Sequence, residues 1–204
     1  MRFFTYVLFS FFMFAASARA QTTDELKAIE DYLNTIKTLE ARFIQTASSG
    51  TSAEGTIRIA KPNKVHMEYD SPVDVLIVGD GNYIVYNDKE LDQVTHIDYN
   101  EIPATLILGN NIRIDGNKIK VTHFYKDAGI TTLTLEYVGK SNIGPITLTF
   151  DNKPELELKQ WKIIDPQNIE VVVSLYDMKK DIDLPESLFK FKDIRKSPLK
   201  YKGK

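Results

Sequence analysis

The sequence predicts a mainly β protein with some α: one large curved antiparallel sheet or open barrel carrying two helical stretches. Three observations carry this. Ten or so short apolar runs follow one another between turn signals, only two stretches have helical character, and from Gly55 to Asp80 the chain reads as an unbroken meander. In that meander Ile57 and Ile59 alternate with Thr56 and Arg58, and Val65, Met67 and Tyr69 alternate with His66 and Glu68. Period-2 alternation places one residue set on a buried face and the other in water. Pro62 and Pro72 cannot donate to a ladder and mark where one strand gives way to the next.

The chain begins with a segment to set aside. Arg2 precedes an apolar run from Phe3 to Phe14, and small residues then lead to Ala18-Arg19-Ala20. Residues 1–20 are expected to be a secretory signal peptide cleaved before Gln21, leaving 21–204 as a single domain. The run is well short of the ~20 residues of a spanning helix. Removal of Arg2 and Arg19 takes the formal net charge from −2 to −4, which argues against nucleic acid as a partner. The sequence contains no cysteine, so an exported form relies on its core without disulfides, and lipid attachment through an N-terminal cysteine is excluded.

From Thr23 to about Thr46, Leu26, Ile29, Leu33, Ile36, Leu39 and Phe43 recur every three or four residues and predict one amphipathic helix lying on the sheet. Thr22 or Thr23 is expected to cap it, and Lys27, Glu30, Asp31, Asn34, Lys37 and Glu40 to face water. After the meander come Val73 to Val78, a turn at Asp80-Gly81, Tyr83 to Tyr86 and Leu91 to Ile97, making five antiparallel strands in series. The run Ile102-Pro103-Ala104-Thr105-Leu106-Ile107-Leu108 has proline at a first-turn position and ends at Gly109-Asn110-Asn111: a short apolar helix with no polar face. Such a helix must be covered or must cover something. Strands resume at Lys118 to Tyr125, Thr131 to Val138, Ile146 to Phe150, Leu156 to Ile164 and Ile169 to Leu175. An apolar segment, Leu184 to Phe191, and a basic tail from Arg195 close the chain.

Several chemistries lack their residues. His66, His96 and His123 stand alone, without metal-ligand spacing, and are expected at solvent-facing strand positions. There is no nucleophile elbow, phosphate-cradling glycine loop or cysteine nucleophile, so neither an enzyme nor a cofactor or metal protein is indicated. A curved sheet of this size either fills its concave side or keeps a cavity for an apolar ligand, and periodicity accommodates both.

The order of several short motifs is informative: Phe43-Ile44-Gln45, Gly55-Thr56-Ile57, Lys61-Pro62, Met67-Glu68-Tyr69, Ser71-Pro72, Asp80-Gly81, Asp92-Gln93-Val94-Thr95, Ile102-Pro103 with its Leu-rich run, Leu158-Lys159-Gln160-Trp161 and Leu188-Phe189. Together they resemble the LolA family of periplasmic outer-membrane lipoprotein carriers over essentially the whole chain after residue 20. The resemblance implies a half-open antiparallel barrel whose apolar concave side is covered by a helical lid. It also implies a periplasmic, monomeric chaperone that shields lipoprotein acyl chains between an inner-membrane LolCDE-type transporter and an outer-membrane LolB-type receptor. Leu33, Ile36, Phe43, Ile57, Ile59, Val65, Met67, Tyr69, Ile102, Pro103, Leu106, Leu108 and Trp161 are then the expected cavity and lid residues.

Two positions depart from the family pattern. Lys61 stands where an arginine usually fastens the lid, and is the candidate latch, expected to reach the last carbonyls of the short helix. Met67 stands where tryptophan or phenylalanine is common. The alternative reading on the same architecture is a periplasmic sensor or regulatory binding module.

Overall fold

The structure, a computed structural model, describes residues 15–140, 142–165 and 168–193. The apolar run Phe3 to Phe14 and the basic tail from Arg195 lie outside them. An α-helix, α1 (Ala15–Thr35), is followed by eleven strands: β1 (Thr38–Ala47), β2 (Ser52–Ala60), β3 (Lys64–Tyr69), β4 (Val75–Asp80), β5 (Tyr83–Asp88), β6 (Gln93–Asp98), β7 (Ile119–Lys126), β8 (Ile130–Tyr137), β9 (Ile146–Asp151), β10 (Glu157–Ile164) and β11 (Glu170–Lys180). They form one sheet in the order β6-β5-β4-β3-β2-β1-β11-β10-β9-β8-β7. Every pairing is antiparallel. Only β1 with β11 joins strands distant in sequence, so the sheet is two meanders sewn at the middle. Its edges, β6 and β7, are not paired with each other. The chain between them, including the 3₁₀ segment Pro103–Leu108, covers part of the concave face.

The long helix predicted to Thr46 stops at Thr35, and Thr38–Ala47 is the central strand β1. The error has a simple origin. Leu39 and Phe43 are four apart, and a spacing of four returns to the same face in a helix and in a strand alike. Ala41, which lies between them and is 1% exposed, separates the two readings, because Leu39, Ala41 and Phe43 are buried in strict alternation. α1 also runs N-terminal of Thr22 and Thr23, so neither caps it.

Concave-face residues of neighbouring strands lie in lateral rows. Ile57 pairs with Met67, Met67 with Ile77 and Ile77 with Tyr86; Ile59 pairs with Val65 and Val65 with Gly79. Phe43 pairs with Gly55, where an added Cβ would meet the Glu68 carbonyl and lie 2.7 Å from the Phe43 ring. The missing side chain lets that ring lie flat on β2, with its edge against Tyr69, centroids 5.1 Å apart.

α1 buries Ile29 and Leu33 on the sheet, and Ile36, just past its last residue, is buried with them. Its other side is not all wet as predicted. The Asn34 amide both donates to and accepts from the Ile112 main chain, at 2.9 and 2.8 Å, and Glu30 accepts the Ile114 N–H. The 109–118 connection has no sheet partner for these main-chain groups, and the helix side chains supply one. His66 departs from expectation as well. The C-terminal 3₁₀ turn Glu186–Phe189 packs on the convex side of β3 and β4, leaving the His66 side chain 12% exposed, with Nδ1 donating to the Leu188 carbonyl at 2.8 Å. His96 and His123 are exposed.

Candidate functional site

The strands of the β2–β6 meander leave an apolar cavity of about 170 Å³ on the concave side. Ile57, Ile59, Val65, Met67 and Tyr69 line it from β2 and β3, Trp161 from β10, and Ile102 and Leu108 from the covering segment. Eight of the expected cavity and lid residues therefore meet at one place. The other five are positioned elsewhere. Phe43 is packed between sheet neighbours, Leu33 on α1 and Ile36 just after it lie in the core, Pro103 is buried at the start of the 3₁₀ segment, and Leu106 faces a separate polar cleft.

Sequence reasoning missed Ile77, Ile84, Tyr86 and Ile97 on β4 to β6, and Ile163, Val171 and Val173 on β10 and β11. Their signal was present in the first case: extending the Ile57–Met67 row across the meander reaches Ile77 and Tyr86. For β10 and β11 it was not, because their burial depends on the β1–β11 join.

The few polar groups at the cavity are satisfied. Tyr69 Oη donates to Gln45 Oε1 at 2.8 Å, and burial pushes the phenol well above its ordinary range, so it stays protonated. Thr105 Oγ1 donates towards the Ile102 and Tyr99 carbonyls, at 2.6 and 3.0 Å. Among the described residues no buried side-chain nitrogen or oxygen lacks a partner, and no group of His, Cys, Asp and Glu is arranged to hold a metal.

The turn between β2 and β3 fastens both covering elements. Lys61 Nζ reaches a helix end, but that of α1: it donates to the Leu33 carbonyl at 2.6 Å, while Lys61 N–H takes the Lys37 carbonyl at 2.8 Å. Lys37 Nζ donates to the Asn34 carbonyl at 3.0 Å, so two cations satisfy carbonyls that the last turn leaves open, at the negative end of the helix. Burial, with the Lys37 charge beside it, lowers the Lys61 amine to about 8. The expected partner of Lys61, the end of the short helix, is held two residues later, where Asn63 N–H donates to the Leu108 carbonyl at 2.8 Å. Asn63 adopts φ 59°, a left-handed conformation that asparagine tolerates. Its carbonyl accepts the Tyr99 hydroxyl. Tyr99 fits because Gly79 beneath it has no Cβ.

The profile of a family described as outer membrane lipoprotein carrier protein LolA matches residues 34–192. This chain belongs to the LolA family. An outer-membrane lipoprotein carrier protein of Dechloromonas aromatica is 28% identical over 188 residues, covering 85% of each chain. One of Azotobacter vinelandii is 26% identical over 207 residues, covering 94% of this chain and 95% of its own. An uncharacterized protein of Rickettsia prowazekii is 26% identical over 183 residues, 90% of this chain and 84% of the relative. Among solved structures, a DUF1329 family protein from Desulfovibrio piger superposes with a TM-score of 0.52 at 11% identity, covering 83% of this chain and 96% of that one. That likeness concerns the fold alone. LolA-family carriers are binding proteins, and no helix among the described residues is long and apolar enough to cross a membrane.

Proposed function

We propose that this protein is a periplasmic chaperone that shields the acyl chains of lipoproteins and carries them as a monomer from an inner-membrane LolCDE-type transporter to an outer-membrane LolB-type receptor. The observation that carries the reading is the apolar cavity roofed by a six-residue segment and fastened through one turn. Each methylene removed from water is worth ~0.8 kcal/mol, so a long acyl chain requires an apolar host on the order of 10 kcal/mol better than water. The walls supply such a host, with Met67 adding a side chain that adapts to irregular shapes.

At about 170 Å³ the cavity lies below the ≈300–1,000 Å³ of sites that hold drug-sized ligands. Loading therefore requires the cover to move. The cover suits this: a 3₁₀ segment is short and weakly bonded internally, and its end is held by one main-chain bond from Asn63. Lys61 acts in this scheme as a latch on α1 rather than on the short helix. Native mass spectrometry of the exported protein is expected to reveal bound diacylated or triacylated lipoprotein. Added lipoprotein should also displace a fluorescent fatty-acid analogue. A correctly folded protein that binds no acyl probe at micromolar concentration would exclude the carrier reading.

A further inference from the structure

A second depression, of about 530 Å³, lies on the other side of the covering segment from the apolar cavity. Its chemistry is opposite. Arg113, Lys118 and Lys140 line it against a single carboxylate, Asp115, in a protein that carries more acidic than basic residues overall. The placement of these cations follows from the backbone. Ile112 and Ile114 turn inward from the 109–118 connection, which leaves Arg113 between them exposed. Lys140 is held above the Tyr137 ring, Nζ 5.4 Å from its centroid, and donates to Asn100 Oδ1 at 3.1 Å. Asp115 is occupied by its own loop: it accepts the Asn117 N–H at 3.0 Å, and that bond, with the charge of Arg113, holds its carboxyl below the ordinary range. The Lys118 carbonyl accepts the Val138 N–H at 2.9 Å, but the side chains of Arg113 and Lys118 make no hydrogen bond or ion pair to another described residue, so both cations are available to an incoming anion.

The cleft and the cavity share a wall. Thr105 lines both, while Leu106 faces the cleft and Ile107 and Leu108 face the cavity. With the segment displaced for loading, one amphiphile held against it would have apolar walls beside its chains and the cations beside its head. We propose that the cleft is a subsite for the phosphate of an anionic phospholipid whose acyl chains occupy the apolar cavity. A guanidinium with two ammonium groups suits phosphate oxygens, which accept several charge-assisted bonds at once. This inference rests on the carrier reading for the chains, and adds a phosphate-bearing class of cargo that a diacylglyceryl-cysteine does not represent.

The test uses purified wild-type protein and the double variant Arg113→Gln/Lys118→Gln. Both are titrated with phosphatidylglycerol and with diacylglycerol bearing the same pyrene-labelled chain, and with glycerol 3-phosphate followed by NMR. Wild type is expected to bind phosphatidylglycerol at least 10-fold more tightly than diacylglycerol, with the preference weakening as salt is raised. The double variant should bring the two lipids within about 2-fold, through loss of phosphatidylglycerol affinity alone. Equal binding of both lipids by wild type, or a preference that survives in the variant, overturns the proposal while the carrier reading stands. If neither lipid binds but glycerol 3-phosphate shifts the Arg113 resonance, the carrier reading and the lipid assignment both fail, and the cleft is a site for free phosphate. If nothing binds, both readings fall.

Discussion

The two arms of the sheet face the same concave space and are finished differently. In β8 and β9, Leu133, Leu135, Leu148 and Phe150 are 0% exposed, and α1 lies over them with Tyr32 set edge-on to Phe150 at 5.8 Å. In β2 to β5, Ile59, Val65, Met67 and Ile84 are 5–9% exposed around open space. The difference lies in the cover. A 21-residue helix spans about 30 Å and presents side chains every turn, whereas a six-residue 3₁₀ segment spans about 12 Å and blocks only what lies beneath it. An identical strand pattern thus gives a packed core under one cover and a cavity under the other.

The largest effect should come from damaging the packed arm. Leu148→Ala removes a side chain with no room to relax and is expected to cost about 2–5 kcal/mol, lowering Tm by roughly 5–15 °C. Acyl-probe affinity per folded molecule should not change. A loss of affinity at unchanged Tm would mean that ligand enters the packed arm. The reverse change sharpens the contrast: Ile77→Trp fills the cavity from β4 and should weaken acyl-probe binding at least 10-fold with Tm nearly unchanged. If Ile77→Trp destabilises the fold as much as Leu148→Ala does, the cavity is not spare room.

These arms were unequally legible in the sequence. The β2–β6 meander was readable because alternation, prolines and Asp80-Gly81 set both strands and register locally. The centre was not, since Leu39 and Phe43 suit a helix and a strand equally and only pairing with β11 decides. Of the site, Val65, Met67 and Tyr69 followed from period 2, and Lys61 was singled out by the resemblance to the family, which places an arginine there. Its partner did not follow, because Leu33 is 28 residues away in sequence. Glu30 and Asn34 look like solvated helix positions until the 109–118 connection is seen to run beside them.

A change that touches only the cover should fall between these extremes. Gly79→Ala puts a Cβ into the place of the Tyr99 hydroxyl and 2.9 Å from Val65 Cγ1, breaking the bond from Tyr99 to the Asn63 carbonyl. Overpacking of this kind costs about 1–3 kcal/mol. Because Asn63 also holds Leu108, acyl-probe uptake and release should both accelerate, measurable by stopped-flow fluorescence. Unchanged exchange rates at a lower Tm would show that Tyr99 supports the fold without restraining the cover.

The smallest expected effect is on the latch, and pH reads it. The Lys61 amine sits at about 8 when buried against Leu33, against 10.5 for an exposed lysine. Between those values the unfolded or opened chain binds more protons than the closed one, so closure gains stability as pH rises from about 8 towards 10.5. Below 8 the amine is charged in both states and the cost of burying that charge is fully present. Wild type should thus gain on the order of 2–4 °C in Tm relative to Lys61→Arg between pH 7.5 and 9.5, because arginine keeps its proton throughout. Lys61→Met, which neither titrates nor reaches Leu33, should run parallel to Lys61→Arg in its pH dependence and exchange acyl probe faster than wild type at every pH. Stability curves of wild type and Lys61→Arg that stay parallel across this range would place Lys61 in solvent. Fastening of the cover would then rest on the Asn63–Leu108 bond, with the helix end held by Lys37 alone.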